Sequence, residues 1–309
     1  MALSDGLYLM ACHRIHTTRV ASATRAVRIP VSAAVIAMLL FVLPGCSVLS
    51  RFRSEPTLDS RQFITTVVLH NKPLELHVSV PRTPAAPGVI VLYTSGDGGW
   101  FGAAVDMFRQ IEGAGYIAVG FSARTFLRIE RPRGSLAHVA QLAAEYDRII
   151  AQARLALGLD ATSRAVLTGW SRGAAFSVMV GSEPVIRDDV LGVVAIGLAE
   201  GEDLEVNNAD DETDTDRTSS EKRRWPFDTY PRIALLSPLP CAVIQATHDN
   251  YLPASSARQL FGADTPLRRL YAIEARNHGF AGGKAAFNAA FVDAIRWIVS
   301  QADGSRGAR

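Results

Sequence analysis

The chain has 309 residues, 48% of them hydrophobic and 20% charged, with three cysteines and a formal net charge of +2. This composition excludes a disordered chain, which lacks the apolar surface to offset its ordering entropy, and three cysteines exclude a disulfide-stapled scaffold. Residues 1–45 hold Arg14, Arg19, Arg25 and Arg28 against Asp5, so the remainder sums to about −1 and offers no general basic surface for nucleic acid.

The first segment reads as an address. An apolar run at 31–43 follows the arginines and ends at Pro44-Gly45-Cys46. A positive stretch, a short apolar run and small residues before a break are the marks of a secretory signal over 1–45. The run is too short for an ordinary membrane span of roughly 20 residues. Leu43-Pro44-Gly45-Cys46 resembles the lipobox of bacterial lipoproteins, which implies lipidation at Cys46. The alternative is an uncleaved N-terminal anchor helix. Either reading expects an exported, periplasm-facing protein held at a membrane.

Residues 46–60 read as a polar tether, and 61–302 as the folded domain. Two β-rich runs at 63–70 and 74–80, separated by Asn71-Lys72-Pro73, predict a hairpin. The apolar run at 88–95 predicts a buried strand, and 100–113 a helix. A strand at 116–122 and a long amphipathic helix at 135–157 come next. Strand 164–170 leads directly into a helix. Further apolar runs at 190–199, 241–247 and 267–275 alternate with helical stretches at 254–261 and 284–301, and 303–309 form a tail. Strands alternating with helices predict an α/β fold, a mostly parallel sheet with helices on both faces. An acidic insertion at 200–232 breaks the rhythm: residues 200–216 carry nine acids and no base. It reads as a solvated loop, or as a rim over a site with Trp225, Phe227 and Tyr230 as apolar contacts.

Chemistry gathers where strands end. Strand 164–168 runs into Gly169-Trp170-Ser171-Arg172-Gly173 and then a helix, the strand–turn–helix context of a G-x-S-x-G nucleophile elbow. Such a turn exposes the serine hydroxyl and places the Arg172 N–H beside it, at the positive end of a helix. Asp249 follows strand 241–247, and His278 follows strand 267–275. A serine hydroxyl needs an imidazole to take its proton and a carboxylate to orient that imidazole, and Ser171, Asp249, His278 stand in the order of that arrangement. Glu200 is the alternative acid, and His248 reads as a loop residue. Strand 88–95 ends in Gly96-Asp97-Gly98-Gly99-Trp100, whose glycines let backbone N–H groups approach an oxyanion, so Arg172, Asp97 and Gly98 are its expected donors. No metal site is expected, because the histidines lack paired spacing, and acyl transfer to water needs no cofactor. His70 and His77 read as sheet residues.

The chain from about 60 to 302 resembles the α/β-hydrolase superfamily. Within it, Ser95-Gly96-Asp97-Gly98-Gly99-Trp100 and Ser122-Ala123-Arg124-Thr125-Phe126 are similar to the S-G-D-G-G-W and S-L-R-x-F stretches of the VirJ/AcvB-type bacterial virulence proteins. The elbow departs from that family's usual G-Y-S-F-G-A-D. The resemblance implies hydrolysis of aminoacylated phosphatidylglycerol, especially its lysyl form. Asp97, Trp100 and Arg124 are the expected substrate contacts, with Asp97 or the acidic segment suited to a cationic head group and Arg124 either suited to a phosphate or a plain surface residue after its strand. The competing expectations are a carboxylesterase or peptidase for soluble substrates, and a non-catalytic envelope scaffold that keeps the fold and binds partners.

Overall fold

The structure is a computed structural model that describes residues 60–129, 138–203 and 227–306. The leader, Cys46, the tether up to residue 59, Trp225 and most of the acidic run lie outside the described residues. Among the described residues, ten strands and seven α-helices occur in chain order: β1 (Ser60–Leu69), β2 (Lys72–Pro81), β3 (Val89–Thr94), α1 (Ala103–Gly113), β4 (Ile117–Phe121), α2 (Ala123–Arg128), α3 (Val139–Leu157), β5 (Arg164–Trp170), α4 (Arg172–Gly181), β6 (Val190–Ile196), β7 (Gly201–Glu202), β8 (Phe227–Asp228), α5 (Tyr230–Ile233), β9 (Cys241–Ala246), α6 (Ala254–Phe261), β10 (Arg268–Ile273) and α7 (Lys284–Arg306).

Eight strands form one sheet in the order β1-β2-β4-β3-β5-β6-β9-β10. Six of them, from β4 to β10, run parallel, and the β1–β2 hairpin joins antiparallel at one edge. Crossovers between parallel strands place helices on both faces, so the strands must be apolar on both sides. β4, β6 and β9 are buried along their whole length. α3 and α4 cover one face, against Leu92, Phe121, Leu167 and Val193, while α1 and α7 cover the other, against Val91, Val166, Val194 and Ile244.

The helices follow from their spacing. In α3, Leu142, Tyr146, Ile149, Ile150 and Ala153 make one buried stripe, and the helix ends at Gly158 in the left-handed conformation (φ 65°). α4 is buried on every side from Gly173 to Gly181, as a helix between a sheet and α3 must be. At the far end of α3, buried Glu145 meets Nε2 of His70 at 2.6 Å, which makes that histidine a structural tie between hairpin and helix.

Some boundaries differ from expectation. The hairpin strands extend to Ser60 and Pro81, because an edge hairpin can pair beyond its apolar stretch. The run at 190–199 stops being strand at Ile196, since Gly197 has a positive φ of 61°. α7 reaches Arg306, so part of the expected tail is helix. Tyr230, expected on a rim, is 5% exposed and packs into the α4 face, with its hydroxyl donating to the Leu198 carbonyl at 3.3 Å; Phe227 packs half-buried against the same core. Among the described residues, no helix is long and apolar enough to cross a membrane.

Register decides where chemistry can sit. Thr94 of β3 aligns with Phe121 of β4 and Gly169 of β5, Trp170 with Ile196 of β6, and Ile196 with Ile244 of β9. The parallel strands therefore end together, and the loops after β3, β5, β6, β9 and β10 share one edge, where α/β sheets bind their ligands.

Candidate active site

β5 ends at Trp170 and α4 begins at Arg172, so the chain turns over Ser171 alone. That serine has φ 58° and ψ −120°, a conformation that costs a side-chain-bearing residue about 1–3 kcal/mol and persists only when its surroundings impose it. Here they do. The Ser171 N–H donates to the Ile196 carbonyl at 2.9 Å, and its own carbonyl accepts from Ala174 at 2.9 Å. A Cβ on Gly169 would stand 2.4 Å from the backbone of Gly173, and one on Gly173 would stand 2.1 Å from the Thr94 carbonyl oxygen. Both glycines of the pattern are thus required by backbone contact.

His278 and Asp249 come together. Nδ1 of His278 lies 2.7 Å from Oδ2 of Asp249, and the residues are 9% and 2% exposed. Asp249 is itself held: Oδ1 accepts the Tyr251 N–H at 2.9 Å, and Oδ2 accepts Nε2 of Gln245 at 3.1 Å. Trp170 stacks on the imidazole at 5.5 Å between centroids, and Tyr251 meets it edge-on at 4.8 Å. The ring passes over Gly197, whose neighbour Ile196 holds the Ser171 N–H, so serine and histidine flank the same short stretch of backbone. Nε2 of His278 is buried without a protein partner, and no hydrogen bond joins it to Ser171 Oγ. Such bonds commonly close only when substrate arrives. The carboxylate that meets the imidazole is that of Asp249, and His248 lies 3.6 Å from Glu274.

The loop after β3 faces the elbow. A Cβ on Gly96 would stand 3.3 Å from Ser171 Cβ, so that loop and the serine are in contact. The loop turns through Gly99 at φ 88°, and its internal bonds run from Gly99 N–H to Gly96 and from Phe101 N–H to Gly99. The N–H groups of Asp97, Gly98 and Arg172 have no acceptor among the described residues, leaving them available to a bound oxyanion.

Asp97 and Arg172 also meet through their side chains, with Nε 2.8 Å from Oδ1. The same guanidinium lies 3.0 Å from Glu202 and 3.2 Å from Asp203. Desolvation pushes the Glu202 carboxyl up to about 7, against the pull of Arg172 and with the push of Asp97.

Arg124, half-buried at the start of α2, is close by: a Cβ on Gly99 would be 3.9 Å from its Cδ. Trp100 is placed differently from expectation. Its indole stacks on His77 at 4.2 Å, meets Tyr93 and Phe108 edge-on, and fills the space where a Gly120 Cβ would need to be, 2.3 Å away. It is a packing residue of the α1 face, because an indole next to a bare glycine strand buries more area there than at the loop tip. Burial lowers the pKa of His77 beneath it.

Sequence reasoning missed Gln245, Gly197, Glu202 and Asp203. Gln245 carried a signal, a lone amide in the apolar run of β9; the others are brought in by tertiary contact. Among the described residues, no cluster of His, Cys, Asp and Glu has metal-holding geometry.

No family model and no curated protein matches the chain. Solved structures do. A protein of Klebsiella pneumoniae subsp. pneumoniae named as a dienelactone hydrolase is 15% identical, over 78% of this chain and 98% of its own, with a TM-score of 0.54. Est1E from Butyrivibrio proteoclasticus is 11% identical over 77% and 99%, with a TM-score of 0.51. A lidless α/β serine hydrolase from Xanthomonas campestris is 15% identical over 79% and 96%, with a TM-score of 0.50. The fold is that of the α/β hydrolases. The narrower likeness to VirJ/AcvB-type proteins rests on sequence motifs alone.

Proposed function

We propose that the protein is a serine hydrolase that cleaves an ester through an acyl-enzyme. The observation that carries this reading is the 2.7 Å His278–Asp249 hydrogen bond beside a serine held at φ 58°. Ser171 Oγ attacks the acyl carbon while Nε2 of His278 takes its proton. Asp249 keeps the imidazole in the tautomer with Nδ1–H and stabilises the imidazolium. The N–H groups of Arg172 and of the Asp97–Gly98 loop receive the negative charge on the tetrahedral oxygen. The alcohol leaves with the proton from His278, and water, activated by the same imidazole, releases the acid.

The substrate we favour is the aminoacyl ester of lysyl-phosphatidylglycerol. The S-G-D-G-G-W and S-A-R-T-F motifs support it, as do carboxylates beside the serine that suit a cationic acyl group and Arg124 that suits a phosphate. The segment 1–46 supports an exported lipoprotein acylated at Cys46, and a Cys46→Ser variant that keeps normal processing and membrane association would favour an N-terminal anchor instead. The second reading is a carboxylesterase for small soluble esters, favoured by a structural neighbour named as a dienelactone hydrolase.

Purified full-length protein, incubated with a fluorophosphonate probe and with labelled lipids and soluble esters, tests the assignment. Probe attachment at Ser171, lost in Ser171→Ala together with hydrolysis, is the expected result. Labelling that survives the substitution overturns it.

A further inference from the structure

Arg172 is accounted for so far only by its backbone N–H. Its side chain is 13% exposed and reaches three carboxylates on two separate segments: Asp97 at 2.8 Å in the loop after β3, and Glu202 at 3.0 Å and Asp203 at 3.2 Å at the end of β7. β7 is one strand of a two-residue stem, with Gly201 opposite Asp228 and Glu202 opposite Phe227.

The loop that Asp97 belongs to needs such a support. Three of the five residues from Gly96 to Trp100 are glycine, which leaves the backbone much freedom. Side chains pin the loop at its two ends. Ser95 Oγ accepts the Ala123 N–H at 3.1 Å, and Trp100 stacks on His77. Between those pins Asp97 supplies the ion pair, although its own side chain is 60% exposed. Oxyanion donors are effective only when fixed 2.7–3.1 Å from the charge they meet.

We propose that the Arg172 side chain is a positioning residue, a strut that ties the Asp97–Gly98 loop to the β7 stem and holds the loop's N–H groups on the oxyanion. The strut also has an electrostatic consequence. Asp97 stands beside the place where negative charge develops, and an uncompensated carboxylate there opposes the transition state. The guanidinium, shared with Glu202 and Asp203, offsets part of its field. Arg suits the position better than Lys because its planar fork can serve several carboxylates at once.

This inference rests on the serine-hydrolase reading. The test uses the full chain, a small neutral ester and the rate of fluorophosphonate attachment at Ser171. Arg172→Gln should lower kcat about tenfold with KM little changed, because misplacing a catalytic group by a fraction of an ångström acts on the chemical step; it also lowers the melting temperature, since buried carboxylates lose their cation, so rates are compared well below the unfolding range. Probe attachment should slow in parallel, since phosphonylation uses the same donors. Arg172→Lys should recover part of the loss. Asp97→Asn, a change on an exposed side chain that does not endanger folding, should cost nothing further when added to Arg172→Gln. A kcat within twofold of wild type in Arg172→Gln overturns the strut, as do losses that simply multiply in the double variant. Wild-type protein with no turnover and no labelling at Ser171 overturns the hydrolase reading and the strut with it; brisk wild-type turnover beside an unaffected Arg172→Gln overturns the strut alone.

Discussion

The imidazole of His278 crosses Gly197 so closely that a Cβ on that glycine would stand 2.6 Å from Cε1 and 3.1 Å from Nδ1. Gly197 also has φ 61°, where an L-residue with a side chain costs roughly 1–2 kcal/mol. It lies just after β6, next to the residue whose carbonyl holds Ser171. The bare backbone at 197 is therefore the floor on which the histidine rests, between the serine and the acid.

Gly197→Ala should push the ring off that floor. The His278–Asp249 bond and the approach of Nε2 to Ser171 both suffer, so kcat should fall about 10- to 100-fold. Stability should fall by only about 1–2 kcal/mol. Steady-state kinetics beside thermal unfolding separates the two effects, and a variant that loses stability but keeps full kcat would show that the ring has room to yield.

Gln245 supports the acid from beneath. Its Nε2 donates to Asp249 Oδ2 at 3.1 Å and to the Leu252 carbonyl at 2.5 Å, and it is fully buried. Gln245→Leu keeps the volume but removes both donations, leaving two buried acceptors short. A loss of about 1–3 kcal/mol is expected, which in a domain of this size lowers the melting temperature by about 2–4 °C per kcal/mol. Activity should fall less than in Asp249→Asn, since the Tyr251 N–H still holds the carboxylate. Equal melting temperatures for Gln245→Leu and wild type would count against this support.

Glu202 gives stability a pH dependence. Its carboxyl ionises near 4.5 in an unfolded chain but is pushed up to about 7 in the fold by desolvation, despite Arg172 and with help from Asp97 and Asp203. Between those values the unfolded chain has released a proton that the folded chain keeps. The folded state loses relative stability as pH rises from about 4.5 to about 7, and the loss is complete above that window. Glu202→Gln never ionises and still offers Arg172 an oxygen. Its melting temperature should exceed that of wild type at pH 8 by on the order of 5 °C, with the gap closing towards pH 4.5. A gap that stays constant across the range, or has the opposite sign, would contradict the placement of this carboxyl.

What could be read before the structure was what local sequence determines. The elbow was legible because Gly169 and Gly173 answer to backbone contacts two residues from Ser171, and Asp249 and His278 because each stands directly after an apolar strand. The eight-stranded order was legible only as a class, since pairing of β3 with both β4 and β5 depends on contacts distant in sequence. α2, six residues long, is too short to show a helical period. The cluster around Arg172 was hidden because Glu202 and Asp203 sit about 30 residues away at a strand of two residues and Asp97 farther off in the loop after β3. Trp100 misled because its neighbours in the chain belong to the site while its indole belongs to the core.

Arg124 offers the sharpest separation of the two substrate readings. It lies in the first turn of α2, just after β4, half-buried, and no ion pair engages it among the described residues. Its Cδ lies near the turn at Gly99, and its charge is felt at Asp97, which places it on the rim of the oxyanion loop. A lipid ester with a phosphodiester next to the scissile bond would present an anion to that rim, whereas a small neutral ester presents none. A hydrogen bond to a charged group is worth roughly 1.5–3 kcal/mol, so Arg124→Ala should cost about tenfold or more in kcat/KM on lysyl-phosphatidylglycerol and little on the neutral ester. The assay is release of free lysine from labelled lipid in mixed micelles beside hydrolysis of the soluble ester by the same preparation. Equal losses on both substrates would make Arg124 a structural residue of α2. A wild-type protein that turns over the soluble ester briskly and releases no lysine would decide for the carboxylesterase.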